Sequence, residues 1–387
     1  MNDKEITTQR HKCSFCNGQD TLEKLFCLNN FPVFMGCVGN LDKKGDKFAD
    51  MTFAVCTHCG GVQLDPFVIP SVVYKNAHGS GTVGATWLLH HQRLAKFISR
   101  YAPQEVLEVG ASHNLLSKSY RSLNKFTKWE IIDPNPPKSN VDSLVTYKRG
   151  FFNENYSLKK KYDCIVHSHT YEHFISVRDM TRKFFDSLVD GGIMVFSIPH
   201  LQSHYDQLFT NVMNFEHTIF LSEIMMDIIL KSEGFVIEEK QYYQNDHSIF
   251  YACRKQAKVD IPLSANLYHY NKTTLLSWYF EHKKMIEKIN EQIKDISGKN
   301  VYLFPAHVST QFLIALGLNV DKITAVLDNC ENKHGKRLYG TDLMCYSPKE
   351  AFADADGVVI LRAGVFSKEI EEGIKSKTNN SVEFIRG

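Results

Sequence analysis

Four of the ten cysteines in this 387-residue chain fall in two pairs of identical spacing, Cys13 and Cys16 in CSFC and Cys56 and Cys59 in CTHC. Two CxxC pairs, each followed by turn-forming residues, supply the four thiolates that close a tetrahedral Zn2+ site. Their long separation indicates a loop-rich module folded around the metal rather than a short nucleic-acid-reading finger. Cys27, Cys37, Cys164, Cys253, Cys330 and Cys345 have no CxxC partner and read as small hydrophobes. A second chemical pair is Glu216-His217 in NFEHTIFLS, where an acid and an imidazole interrupt an apolar, aromatic stretch. These are side chains suited to general acid-base work. Further histidines gather at His167, His169 and His173 in HSHTYEH, at His200 and at His247. Among them, His167, His169, Glu172 and His173 are the types that ligate a second metal, which would chelate a diol.

Elements that could position these groups follow from the apolar pattern. EVLEVG, KWEIID, YDCIVHS and GGIMVFSIPH are short apolar runs ending in polar residues and separated by helix-length stretches, the pattern of a doubly wound parallel sheet. Ligands in such a sheet sit at the carboxyl ends of the strands. The first turn reads Gly110-Ala111-Ser112-His113-Asn114, with one glycine where a pyrophosphate site needs G-x-G-x-x-G. A nucleoside without phosphates asks for less: a small turn and acids for the ribose and its neighbours. Glu108, Gly110, Ser112 and Asp133 meet that description, and the cofactor that fits is S-adenosylmethionine. Phe151 and Phe152 are placed to flank its adenine, and His167 ends the strand that should wall the same pocket.

A second strand-helix array follows the amphipathic stretch LLSWYFEHKKMIEKINEQIKDI. The expected organisation is a zinc-binding module at 1–80, a cofactor-binding α/β core at 81–260, and a linker helix with a second, Rossmann-like α/β domain at 261–387.

This order resembles the S-adenosylmethionine-dependent sugar C-methyltransferases that act on nucleotide-linked keto-deoxysugars, over nearly the whole chain. The matching pieces are CSFC with CTHCGGVQL, VLEVGASHNLL, IIDP, FEHTIFLS, and AVLDNCENKHGKRLYGT with its D-N-x-x-x-K-x-G-K-R order. The resemblance implies a class I methyltransferase core and a catalytic loop at 214–217, with His217 as base and Glu216 as its helper. It implies that Asn214, which stands where the family has tyrosine, together with His200 and His247, faces the substrate. In YKNAHGSGT the family's tyrosines give way to Ala77-His78, so His78 becomes a candidate acid or base. Carbon methylation beside a ketone needs a base and a donor to the oxyanion, whereas a hydroxyl acceptor needs only the base and a phosphate-type oxygen scarcely that. The expected reaction is methylation of a sugar or nucleotide-linked sugar for a surface polysaccharide or glycosylated metabolite. Its alternatives are an O-methyltransferase on the same frame and a scaffold that has lost catalysis.

A formal charge of +2, with basic residues in short runs, argues against a nucleic-acid partner and hence against an RNA methylase. The polar start and the absence of roughly 18 consecutive apolar residues argue against a membrane. A cytoplasmic monomer or homodimer acting on a small molecule is the expectation.

Overall fold

The computed structural model describes residues 6–75, 84–111, 114–136, 143–244, 247–256, 266–353, 356–377 and 381–386. Two expected site residues, His78 and Ser112, lie outside the described residues.

Apolar runs at 105–255 pair into a seven-stranded sheet in the order Phe235–Tyr243, Ser248–Lys255, Leu188–Pro199, Tyr162–Ser168, Glu105–Val109, Lys128–Asp133, Val145–Arg149. Only Ser248–Lys255 runs antiparallel to its neighbours. Alternation along each strand divides the core. Val106, Ile131, Val166 and Val195 share one face with Leu94, Phe97 and Ile98 of helix Ala85–Ser99. Leu107, Ile132, Ile165 and Met194 share the other with Phe184 of helix Val177–Ser187 and Met226 and Ile229 of helix Glu223–Ser232. Burial on both faces explains why these strands read as continuous apolar runs. This is the class I methyltransferase, Rossmann-like fold.

The C-terminal array forms a five-stranded parallel sheet in the order Cys345–Tyr346, Ala325–Leu327, Asn300–Phe304, Gly357–Leu361, Val382–Ile385. The amphipathic stretch ahead of it is a single helix, Asn266–Lys294. No described helix is long and apolar enough to cross a membrane.

The N-terminal strands Leu22–Pro32, Phe48–Cys56 and Val62–Leu64 form an antiparallel sheet whose fourth member, Ile219–Phe220, comes from the core. The N-terminal sheet shares one apolar cluster with the long helix and the C-terminal sheet: Phe26 stacks on Tyr279 at 4.2 Å and Phe53 joins Phe26 at 4.7 Å. Polar groups bind the same two regions. Arg337, 1% exposed at its side chain, donates through Nη1 to Asp46 Oδ2 at 2.7 Å and through Nη2 to Oδ1 at 3.0 Å, while Nε reaches the Asn40 carbonyl at 3.0 Å. Lys333 pairs with Asp328 at 2.7 Å, so three residues of the D-N-x-x-x-K-x-G-K-R stretch act in structural ion pairs.

Removing one partner of a buried pair strands the other charge, at about 3–5 kcal/mol. Asp46→Ala should therefore lose stability of that order in chemical denaturation. Asp342→Ala, which breaks an exposed pair with Lys43, should leave the midpoint where it is.

Candidate active site

The first core strand ends at Gly110, where φ is +75° and an added Cβ would meet Thr170 Cγ2 at 2.9 Å and Oγ1 at 3.0 Å. Only glycine fits this turn. The chain is next described at Asn114, which adopts φ +46° ahead of helix Leu115–Arg121 and donates its amide to the Tyr147 hydroxyl at 2.6 Å. Glu108 is buried and accepts the Trp129 indole N–H at 2.6 Å, and burial pushes its carboxyl up to about 8. Its carboxylate is thus occupied within the sheet. Asp133 closes the second strand, with Oδ1 accepting the Asn135 N–H at 2.6 Å in an Asx turn. Phe151 is 44% exposed and lies edge-on to Tyr74 at 6.0 Å, whereas Phe152 is buried and stacks on Phe184 at 5.6 Å.

His167 departs from expectation. It is fully buried between Phe184 and Phe196, with ring centroids at 5.3 and 4.8 Å, and neither ring nitrogen has a hydrogen-bond partner. It shares the core face of Ile165, two residues back, and burial pushes it down to about 3. This is a neutral ring packed in the core.

After the fourth strand the chain turns through His169, at φ +48°, into the short helical turn Tyr171–His173. That turn faces the 214–217 loop. One ligand-type atom from each of Glu172, His173 and His217 lies within 4.8 Å of the other two. His217 Nδ1 is 2.7 Å from the Val212 carbonyl, which can only accept. The proton therefore sits on Nδ1 and the Nε2 lone pair is free, the tautomer a base requires. Glu172 is 2% exposed and neither of its oxygens is hydrogen-bonded, although Oε1 is 3.4 Å from His169 Nδ1. Burial pushes its carboxyl up to about 7, and His217 pulls the other way. Reciprocally, burial lowers His217 and Glu172 raises it.

Glu172 is thus a buried carboxyl beside His217, named in the sequence only as a metal-ligand type. Glu216 acts on Tyr74, whose hydroxyl is raised by burial first, then by Glu216, Glu172 and Asp133. The Tyr74 hydroxyl is 2.5 Å from His173 Nδ1, and the His173 ring meets that of His217 edge-on at 4.7 Å. Tyr74 is a functional candidate that carries no motif of its own in the sequence, and His173, expected only as a metal-ligand type, joins it here. Asn214 Oδ1 receives the backbone N–H groups of Glu216 and His217 at 2.9 and 3.2 Å, so this side chain shapes the loop. His200 starts helix Leu201–Asp206 and lies 5.3 Å from the Tyr242 ring. His247 groups with His90 and His169 instead of with His217.

The four expected cysteines converge. Cys13 and Cys59 Sγ are 3.7 Å apart, as are Cys16 and Cys56. A tetrahedron with Zn–S of about 2.3 Å separates its sulfurs by about 3.8 Å. Backbone N–H groups of Phe15, Gly18 and Gly61 point at Cys13, Cys16 and Cys59, each at 3.4 Å, the donors thiolates need. The donor set and its spacing fit Zn2+.

Residues 88–239 match the family model described as methyltransferase domain. Similar solved structures include the N-methyltransferase NodS from Bradyrhizobium japonicum, at 15% identity and TM-score 0.35, covering 45% of this chain and 99% of that one. An O-methyltransferase family protein from Burkholderia thailandensis is similar at 9% identity and TM-score 0.38, covering 44% of this chain and 57% of that one. Human N-acetylserotonin methyltransferase, in complex with SAM, is similar at 12% identity and TM-score 0.37, covering 44% and 53%. No curated protein matches the sequence. Residues 88–239 thus carry a methyltransferase-domain match on a core with the class I strand order.

Glu172→Gln separates function from stability. A carboxyl raised from 4.5 to about 7 contributes stability that is present below the lower value and lost as pH rises through the higher one. The stability difference should therefore move in favour of the glutamine variant by up to about 3 kcal/mol between those limits. Methyl transfer should fall roughly tenfold to a hundredfold. Denaturation at pH 5 and pH 8 checks the first, and a constant difference would remove the buried-charge reading.

Proposed function

We propose that this methyltransferase acts on a sugar or a nucleotide-linked sugar, with His217 as the general base. The observation that carries the reading is the His217 tautomer: Nδ1–H is held by the Val212 carbonyl and Nε2 is free beside the buried Glu172. Bound S-adenosylmethionine would supply the electrophilic methyl group. Gly110 permits close approach of the backbone, Asp133 at the end of the second strand would receive the ribose hydroxyls, and Phe151 offers an exposed ring. Glu108 contributes indirectly, by fixing Trp129 under the turn. Zn2+ on Cys13, Cys16, Cys56 and Cys59 is structural, since four thiolates leave no open position.

Within this reading His217 takes the acceptor's proton on Nε2, and Glu172 stabilises the imidazolium that forms. Tyr74 stands ready as an O–H donor, coupled to His173, and Glu216 bears on the same hydroxyl. A carbon acceptor needs such a donor for its enolate oxygen, so Tyr74 restores what the loss of tyrosine at 77 and 78 had removed. A ring carbon beside a ketone is therefore the favoured acceptor, and a hydroxyl, which needs the base alone, is the second reading. The sugar assignment is supported by the resemblance of FEHTIFLS and the C-terminal stretch to the sugar C-methyltransferases.

Incubation with methyl-labelled S-adenosylmethionine and a panel of nucleotide-linked keto-sugars and their alcohols, read by mass spectrometry and carbon NMR, tests this. The expected label is on ring carbon, with kcat reduced roughly 100- to 10,000-fold in His217→Ala and cofactor affinity unchanged. A label on oxygen selects the second reading, and a fully active His217→Ala variant removes the base assignment.

A further inference from the structure

Three imidazoles outside the His217 group meet at the strand ends. His90 comes from helix Ala85–Ser99, His169 follows the fourth core strand, and His247 precedes the antiparallel strand Ser248–Lys255. One ring nitrogen of each lies within 4.8 Å of the other two. They surround Ser248 Oγ, with His247 Nδ1 at 2.5 Å, His169 Nε2 at 2.8 Å and His90 Nδ1 at 3.3 Å. His90 and His247 are buried, and the Trp87 ring packs on all three, with centroids at 4.8 to 5.1 Å.

The outward nitrogens have partners of their own. His90 Nε2 is 3.1 Å from Ser168 Oγ and 3.3 Å from Ser197 Oγ, and His169 Nδ1 is 3.4 Å from Glu172 Oε1. A polar group behind the far nitrogen is the kind of contact that orients a metal-binding histidine, and with the protons on those outward nitrogens the other lone pairs turn inward. With those protons outward, the inward lone pairs of His90 and His169 meet one serine hydroxyl, which has a single hydrogen to give. His247 adds a third nitrogen at the same point. A cation drawn between the three nitrogens, beside Ser248 Oγ, would accept all three lone pairs at once.

We propose that His90, His169 and His247 hold a second divalent transition-metal ion, separate from the cysteine cluster. Three neutral nitrogens select zinc, cobalt or nickel over magnesium or calcium, which require oxygen ligands. Three protein ligands leave a coordination position open, as in catalytic rather than structural zinc sites. An oxygen ligand takes that position: the Ser248 hydroxyl, water or an oxygen of the acceptor. The site does not depend on which acceptor is methylated. It also revises the expected second-metal set, because His167 is in the core, and His90, on a helix far back in sequence, supplies the missing ligand.

The test is metal analysis of the full-length protein, loaded with Zn2+ and desalted. Wild type should hold two equivalents, His247→Ala and His169→Ala one each, and His217→Ala two. Zinc-edge X-ray absorption on wild type, which needs no variant, should show sulfur and imidazole scattering together. Cobalt loading should give a thiolate charge-transfer spectrum that survives His247→Ala, over a weaker d–d spectrum that does not. A single equivalent in wild type, a sulfur-only shell, or two equivalents retained by both histidine variants would overturn the site. Loss of the second equivalent in His217→Ala would assign the ion to Glu172, His173 and His217 and equally overturn it.

Discussion

The reactive loop depends on a pairing only two residues long, Ile219 with Gln63 and Phe220 with Val62. Through it the segment after His217 becomes the outer strand of the cysteine module's sheet. Gln63 is itself held at both ends, its Oε1 accepting the Ser14 N–H at 2.9 Å and its Nε2 reaching Cys13 Sγ at 3.4 Å. Arg10 spans the seam, donating to the carbonyls of Leu64 at 2.8 Å and Thr218 at 2.9 Å. From the other side, Thr218 N–H donates to the Glu172 carbonyl at 2.9 Å. One extended segment is thus clamped between the thiolate cluster and the turn that carries Glu172. The distance from His217 to Glu172 is a property of both, so the cysteine cluster bears on the placement of His217 without touching it.

Much of the scaffold was legible because it follows from periodicity and local stereochemistry. Apolar runs gave away the two parallel sheets, the CxxC spacing gave away the cysteine cluster, and the lone Gly110 marked a turn that tolerates no side chain. The active-site group was legible only in part. Glu216 drew attention by being adjacent to His217, but neighbours in an extended loop project in different directions, and the acid that meets the imidazole is supplied from residue 172. His167 was misplaced although the signal existed: strand side chains alternate, so His167 must share the core face of Ile165 while Ser168 turns to His90. His90 itself carried no signal, since a histidine on the buried face of an amphipathic helix reads as packing.

The C-terminal domain enters the same argument through Arg337. Its guanidinium is buried against Asp46 in the N-terminal region, and strand Arg337–Leu338 pairs with Cys37–Val38. The N-terminal sheet, the long helix and the C-terminal sheet therefore share one apolar cluster, which Leu201, Val212, Met213, Phe215 and Phe220 of the central region join. The motif most specific in sequence proves to be the one that locks these parts together.

Electrostatics make the histidine-rich cleft compatible with the cofactor. S-adenosylmethionine carries a sulfonium, and imidazolium rings beside it would repel it strongly at low dielectric. Burial prevents that, pushing His169, His204 and His247 down to about 3, so these rings are neutral wherever the enzyme works. His217 is also lowered, and the buried Glu172 draws it back. An imidazolium can therefore form at His217 more readily than at the other rings. Glu172, raised to about 7 by burial, is the buried carboxyl placed to stabilise it.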